Sequence, residues 1–346
     1  MCFHGNLPWE HYLNLFCDYM TKTTLRIVAS TNMGLVRTNN EDNFIVCPDL
    51  QKGEWLLPQS ENYLDLGKYG ALLVVADGMG GANAGEVASE IAVETIKTLC
   101  SPEELEKLVF DDNSIPAFLD DTIQKANANI HTRSEQDATT SGMGTTIVMA
   151  WIYENVAYIT WCGDSRCYVY NSKLGLQRLS KDHSYVQELV DKGELDAEAA
   201  FDHPYSNVIT KCLDGGKKHA VSESRKYELQ DGDILLLCTD GLSGLCRDEE
   251  IIKILSENED LQICKNTLIS AALSNGGHDN VTVAMAGIKI QDDDKDKPVP
   301  SGTVGFKKRN KKKVFFWVFL VLLLLAALCL TYYDLIYNTV STFLKK

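Results

Sequence analysis

The chain reads as an α+β protein, antiparallel β-sheets with helices packed outside, followed by one C-terminal transmembrane helix. Three observations predict this. Short runs rich in Val, Ile, Leu and Tyr come in consecutive groups, with helical stretches set apart from them, which is not the rhythm of βαβ units. Two long stretches repeat apolar residues at helical spacing. Residues 314–330, VFFWVFLVLLLLAALCL, carry no charge at all.

Taken in order, residues 1–24 form an extension without a signal-peptide core, since Glu10 and Asp18 interrupt it. Met20 is an alternative start. Strands are expected over 25–30, 43–47, 71–76, 146–152, 156–162, 166–170, 233–238 and 281–288. A helix over 85–99 aligns Ala88, Ile91, Ala92, Thr95, Ile96 and Leu99 on one stripe, and 115–133 behaves similarly. Weaker helices are expected over 184–192, 248–256 and 261–274. The domain thus spans 25–290, and the charged, Pro- and Gly-bearing stretch 291–313 is a linker.

Residues 314–333 are long enough for about 30 Å of hydrocarbon at about 1.5 Å per residue. Trp317 sits near one end, Tyr332 and Tyr333 at the other. Lys307, Lys308, Arg309, Lys311, Lys312 and Lys313 crowd the N-terminal flank. By the positive-inside rule the domain faces the cytoplasm and 334–346 is a short extracytoplasmic tail. The same collar suits anionic lipid.

The 346 residues carry 33 Lys+Arg against 48 Asp+Glu, a formal charge of −15. That average conceals two unlike parts. Residues 307–346 hold eight basic residues and one acid, whereas the remainder holds 25 basic and 47 acidic ones. So acidic a domain is no general nucleic-acid binder, and 45% hydrophobic residues exclude intrinsic disorder. The eleven cysteines form no C-x-x-C pair and read as reduced thiols.

Acids recur where apolar strands stop or start. Ala71–Ala76 runs into Asp77-Gly78-Met79-Gly80-Gly81, and 233–239 runs into Asp240-Gly241. Asp279-Asn280 precedes Val281, and Cys162-Gly163 leads into Asp164-Ser165-Arg166. One Asp-Gly is ordinarily a turn. Four carboxylates at strand ends repel one another unless a cation sits among them, and hard oxygen donors without a Cys/His cluster point to Mg2+ or Mn2+. Upstream lies Arg37-Thr38-Asn39-Asn40-Glu41-Asp42. As a surface loop it would be a local ion pair. As a site, Arg37 would hold a phosphate through its bidentate fork, with Glu41 and Asp42 facing the metals.

These motifs, together with Gly144-Thr145-Thr146, Asp182-His183-Ser184, Thr239-Asp240-Gly241-Leu242 and Gly277-His278-Asp279-Asn280-x-Thr282, stand in an order that resembles the metal-dependent type-2C serine/threonine protein phosphatases, most closely the bacterial branch. The resemblance covers about residues 25–290. It implies a four-layer sandwich of two antiparallel β-sheets flanked by helices. It also implies hydrolysis of phosphoserine and phosphothreonine by a metal-activated water, using two Mn2+ or Mg2+ ions and a third, more labile one. On this resemblance Asp77 bridges two ions, Gly78 lends its carbonyl, Asp240 and Asp279 complete one ion, and Glu41 serves the other. Asp164 belongs to the third ion and Arg37 holds the phosphate. Met79 stands where many eukaryotic relatives carry a histidine proposed as general acid. His183 reads instead as part of a helix start, with Ser184 and Gln187 forming a capping box. Thr145 and Thr146 support the site, and residues 195–207 fall where the family has a flap. The implied partners are phosphorylated proteins, a cognate kinase and the membrane, with no nucleic acid. The alternatives are a metabolite phosphatase or an inactive membrane-tethered binding module.

Overall fold

The computed structural model describes residues 22–55, 62–80, 84–214 and 219–291, all within one compact unit. Residues 1–21 of the expected extension, the collar and the apolar span 314–333 lie outside the described residues, whereas Lys22, Thr23 and Thr24, expected to close the extension, already belong to the first strand. Among the described residues no helix is long and apolar enough to cross a membrane.

Among the described residues thirteen strands form two antiparallel sheets. In the first, β3 (Leu64–Asp65), β1 (Lys22–Asn32), β13 (Val281–Gln291), β12 (Ile234–Cys238), β8 (Arg166–Asn171) and β9 (Gly175–Arg178) lie in that order. The second runs β10 (Leu213–Asp214), β5 (Gly144–Thr145), β4 (Ala71–Met79), β6 (Ile147–Tyr153), β7 (Val156–Cys162) and β11 (Glu223–Glu228), with β2 (Asp42–Cys47) paired on β4.

Strand side chains alternate between faces. Leu73 and Val75 of β4, Ile159 of β7, Leu235 and Leu237 of β12 and Ala284 of β13 therefore meet between the sheets. The opposite face of β4, with Leu72, Val74 and Ala76, is covered by α1 (Ala84–Leu99) and, through Ile115, Leu119 and Ile123, by α3 (Ser114–Gln136). The short α2 (Pro102–Leu105) joins those two helices. The outer face of the first sheet, with Leu236, Cys238, Val283 and Met285, is covered by α7 (Asp248–Glu257) and α8 (Leu261–Ser274). Helix, sheet, sheet, helix is the four-layer order expected above. It also explains why Ala71–Ala76 is uniformly apolar: every side chain of that run is buried on one face or the other.

The eight expected strands are present within a few residues of their expected ends. The departures are informative. β11 reads Glu-Ser-Arg-Lys-Tyr-Glu and forms an edge strand on β7 alone, where charges suit water and discourage further pairing. β3, β5 and β10 are two residues each and leave no period to detect. No disulfide links the eight cysteines among the described residues, seven of which are buried.

Antiparallel pairing positions the site. Asn32 of β1 faces Val281 of β13, Cys238 of β12 faces Val283, and Arg166 of β8 faces Cys238. In the second sheet Asp42 faces Asp77, and Ile147 of β6 faces Cys162 of β7. The ends of β1, β4, β7 and β12 and the starts of β2, β8 and β13 therefore gather at one end of the sandwich.

Candidate active site

That end collects the acids. Asp77 ends the apolar part of β4. Asp240 opens α6 (Asp240–Ser243) straight after β12, Asp279 stands just before β13, and Asp164 lies in the turn between β7 and β8. Asp77 is held from behind by paired threonines. Its N–H donates to Thr146 Oγ1 (3.1 Å), and its carbonyl accepts from Thr145 Oγ1 (2.9 Å) and from the Thr146 N–H (2.8 Å). Thr146 and Ser165 hydroxyls lie 2.6 Å apart and tie β4's end to the Asp164 turn. Both threonines therefore support the backbone, as expected.

The glycines are spacers for close backbone approach. A Cβ on Gly78 would strike the carbonyls of Gly85 and Glu41, and one on Gly241 would strike that of Asn280. This crowding brings Glu41 against the end of β4, where Gly78 N donates to its carbonyl (3.2 Å).

Electrostatically the cluster is under stress. Burial foremost, then Asp42, Asp240 and Asp164, holds the Asp77 carboxyl well above the usual carboxylate range, and it shares a hydrogen bond with Asp240. Burial and then Asp240 act likewise on Asp164, and burial and then Asp279 raise Asp240. Burial also raises Glu41, against the lowering effect of Arg37. One oxygen each of Asp164 and Asp240, both Oδ1, is buried without a hydrogen-bond partner. Burying such acceptors unpaired is costly. A divalent cation with hard oxygen preference removes both penalties, so the donor set fits Mn2+ or Mg2+. Among the described residues no three His, Cys, Asp or Glu side chains close on one point as a finished shell. Three of the carboxylates are already engaged: Asp77 and Asp240 with each other, and Asp279 Oδ2 with Arg37 Nη2 at 2.7 Å.

Arg37 is half-exposed beside Asp279, and it also feels Glu41 and Asp240. Asp42 departs from expectation. It does not face the metal site with Glu41 but is buried behind the cluster, where Oδ2 accepts from Thr239 Oγ1 (2.9 Å) and Thr282 Oγ1 (2.7 Å). Burial pushes it up to about 7, against those two hydroxyls and helped by Asp240 and Asp279.

His183 is no proton donor to the site. Its Nδ1 accepts from the Gly163 N–H (3.1 Å), its Nε2 lies 3.1 Å from Glu223 Oε1, and burial lowers its pKa. Ser184 caps α4 (Tyr185–Asp191) by accepting from Gln187 N (3.3 Å). The expected box is only half made, because the Gln187 side chain turns to Arg178 (2.8 Å) and Asp191 (3.1 Å).

Sequence reading assigned no role to Asn280, yet it is the hub of the site. Its Oδ1 accepts from Glu41 N (2.8 Å), and its Nδ2 donates to Met33 O and Asn39 O (both 2.9 Å). Arg166, likewise unassigned, forks onto Asp182 through Nε and Nη2, the latter at 2.7 Å. The available signal was their place inside the motifs Gly163-Asp164-Ser165-Arg166 and Asp279-Asn280-x-Thr282, each beside an acid of the site. A cleft of about 700 Å3 opens beside Asp164 and Asp240. Its lining includes Ala197 and Phe201 of α5 (Ala197–Phe201), in the expected flap, and Arg247. Arg247 reaches Asp202 (2.6 Å) and covers the Phe201 ring at 4.2 Å.

A helix-flanked double sheet with a buried carboxylate cluster and an arginine at its rim fits a metal-dependent hydrolase of phosphate esters. Comparison with known proteins makes the class specific. Residues 63–275 match the protein phosphatase 2C family. The serine/threonine phosphatase stp of Listeria monocytogenes is 34% identical over 262 residues, covering 74% of this chain and 92% of that protein. The crystal structure of the Mycobacterium tuberculosis serine/threonine phosphatase PstP/Ppp superposes with a TM-score of 0.63 at 32% identity, over 77% of this chain and 99% of that one. The PstP catalytic domain solved with two manganese ions gives 0.61 at 31%, with the same coverage. The chain belongs to the protein phosphatase 2C family, and its class is that of the bacterial serine/threonine protein phosphatases.

Proposed function

We propose that this chain is a membrane-anchored phosphatase that removes phosphate from phosphoserine and phosphothreonine of cytoplasmic proteins, opposing a cognate kinase and depending on Mn2+ or Mg2+. The observation that carries the reading is the buried carboxylate cluster in which Asp164 and Asp240 each keep an unpartnered oxygen. Asp77, the Gly78 carbonyl, Asp240, Asp279 and Glu41 would hold two ions and Asp164 a third. The PstP catalytic domain, solved with two manganese ions, supports the reading of a two-ion site. When bound, such ions supply an activated water and offset charge at phosphorus.

The chain's own residues do the rest. Arg37 offers its guanidinium fork to the phosphate, exchanging the Asp279 carboxylate for phosphate oxygens. Thr145 and Thr146 fix the Asp77 backbone, and Asn280 fixes that of Glu41. Met79 has no proton to give and His183 is committed to Gly163 and Glu223, so the leaving alkoxide takes its proton from elsewhere. The anchor rests on the charge-free run 314–330 and the six-residue basic collar before it.

Phosphate release by the full chain in Mn2+ should be measured on phosphothreonine, phosphoserine and phosphotyrosine peptides and on p-nitrophenyl phosphate. Turnover of the first two peptides well above the third is expected; turnover of p-nitrophenyl phosphate alone contradicts a protein substrate. In intact cells the domain should sediment with membranes and resist added protease.

A further inference from the structure

The loop bearing Arg37 is tightly pinned. Leu35 N donates to Gly277 O (2.8 Å), Gly34 N to Asn32 Oδ1 (2.9 Å), and Asn280 Nδ2 to Met33 O (2.9 Å). Gly34 adopts φ +81°, and a Cβ there would strike the Asp279 carbonyl. Yet this rigid loop turns apolar side chains to water: Leu35 is 67% exposed, Val36 62% and Met33 43%. A single exposed apolar side chain is ordinary, but three within four residues beside a charged site mark a contact surface.

We propose that Leu35 and Val36 form a docking edge for the peptide segment flanking the phosphorylated residue, so that the enzyme favours substrates with an apolar side chain next to phosphoserine or phosphothreonine. This rests on the phosphatase reading above and on Arg37 taking the phosphate. Val36 is covalently next to Arg37, and an extended peptide advances only about 3.5 Å per residue. A phosphate held by Arg37 therefore leaves the first two flanking residues within reach of Leu35 and Val36. Pinning of the loop means that its backbone needs no further ordering when the contact forms. Charge selects against other occupants. Glu41 and Asp279 lie beside Arg37, and Glu86 accepts from Asn39 (3.0 Å), so an anionic bilayer or an acidic peptide flank is repelled here.

The test uses the full chain with Mn2+ and two phosphothreonine peptides that differ only in Leu or Ser at the two flanking positions. The wild type is expected to favour the Leu peptide in kcat/KM by about fivefold or more, chiefly through KM. The double substitution Leu35→Ser/Val36→Ser should erase that ratio, while Leu174→Ser, 64% exposed on another turn, should preserve it. Equal kcat/KM for the two peptides in the wild type, or a preference that survives the double substitution, overturns the inference and leaves the phosphatase reading standing. Hydrolysis of p-nitrophenyl phosphate with neither peptide accepted overturns both. Loss of binding to phosphatidylglycerol vesicles in the double variant, with the peptide ratio intact, assigns the loop to lipid and also refutes the inference.

Discussion

Asp42 stands opposite Asp77 in the β2–β4 register and faces away from solvent into two threonine hydroxyls. Replacing it with asparagine probes how much electrostatic stress the cluster stores. Burial pushes Asp42 from an ordinary 3.8 up to about 7, so the native state holds its proton over roughly three pH units in which the unfolded chain has lost it. At about 1.36 kcal/mol per unit this amounts to about 4 kcal/mol. The sign follows from proton counts. Because the folded state binds the extra proton, stability from this group is full below about pH 4, falls as pH rises, and is lost above about pH 7. Asp42→Asn cannot ionise and escapes that decline. Its amide carries a constant penalty of about 1–3 kcal/mol if its N–H groups find no acceptor. Urea unfolding in EDTA at pH 4.5, 6 and 8, followed by circular dichroism, should show the variant gaining on the wild type by about 3 kcal/mol across that range. Saturating Mn2+ should shrink the gain by neutralising Asp240 and Asp279. A difference between variant and wild type that does not change with pH would refute the reasoning.

Gly78→Ala places a Cβ against two backbone carbonyls that cannot swing aside, so it should cost about 2–3 kcal/mol in urea midpoint and remove phosphate release. Asn280→Ala breaks three hydrogen bonds at about 1 kcal/mol each, which predicts a loss of about 2–3 kcal/mol and a higher Mn2+ concentration for half-maximal activity. Arg247→Ala removes an exposed ion pair and should change global stability by less than about 1 kcal/mol. It also frees Phe201 and Asp202, so limited proteolysis within 196–207 should quicken; unchanged cleavage there would contradict the clasp.

Much of this was legible in the sequence, for identifiable reasons. Strands buried on both faces, such as Ala71–Ala76, announce themselves by composition, and the acids that end them stand out against it. β11 was illegible because an edge strand of six mostly charged residues has a pattern that water, not packing, dictates. Asp42 was read as a neighbour of Glu41, but its partners Thr239 and Thr282 lie 197 and 240 residues away and reach it only once the two sheets are stacked. The same holds for Asn280, whose three partners lie in the β1–β2 loop. Sequence local to one strand end can nominate a carboxylate, but what holds it in place depends on which ends the antiparallel register gathers.

The most direct test of the account is phosphate release from a phosphothreonine peptide by wild type and by Asp240→Ala, each with Mn2+ and with EDTA. The account predicts turnover by the wild type in Mn2+, its abolition by EDTA and recovery on adding the ion back, with Asp240→Ala near background throughout. Activity that survives both EDTA and the substitution would contradict it.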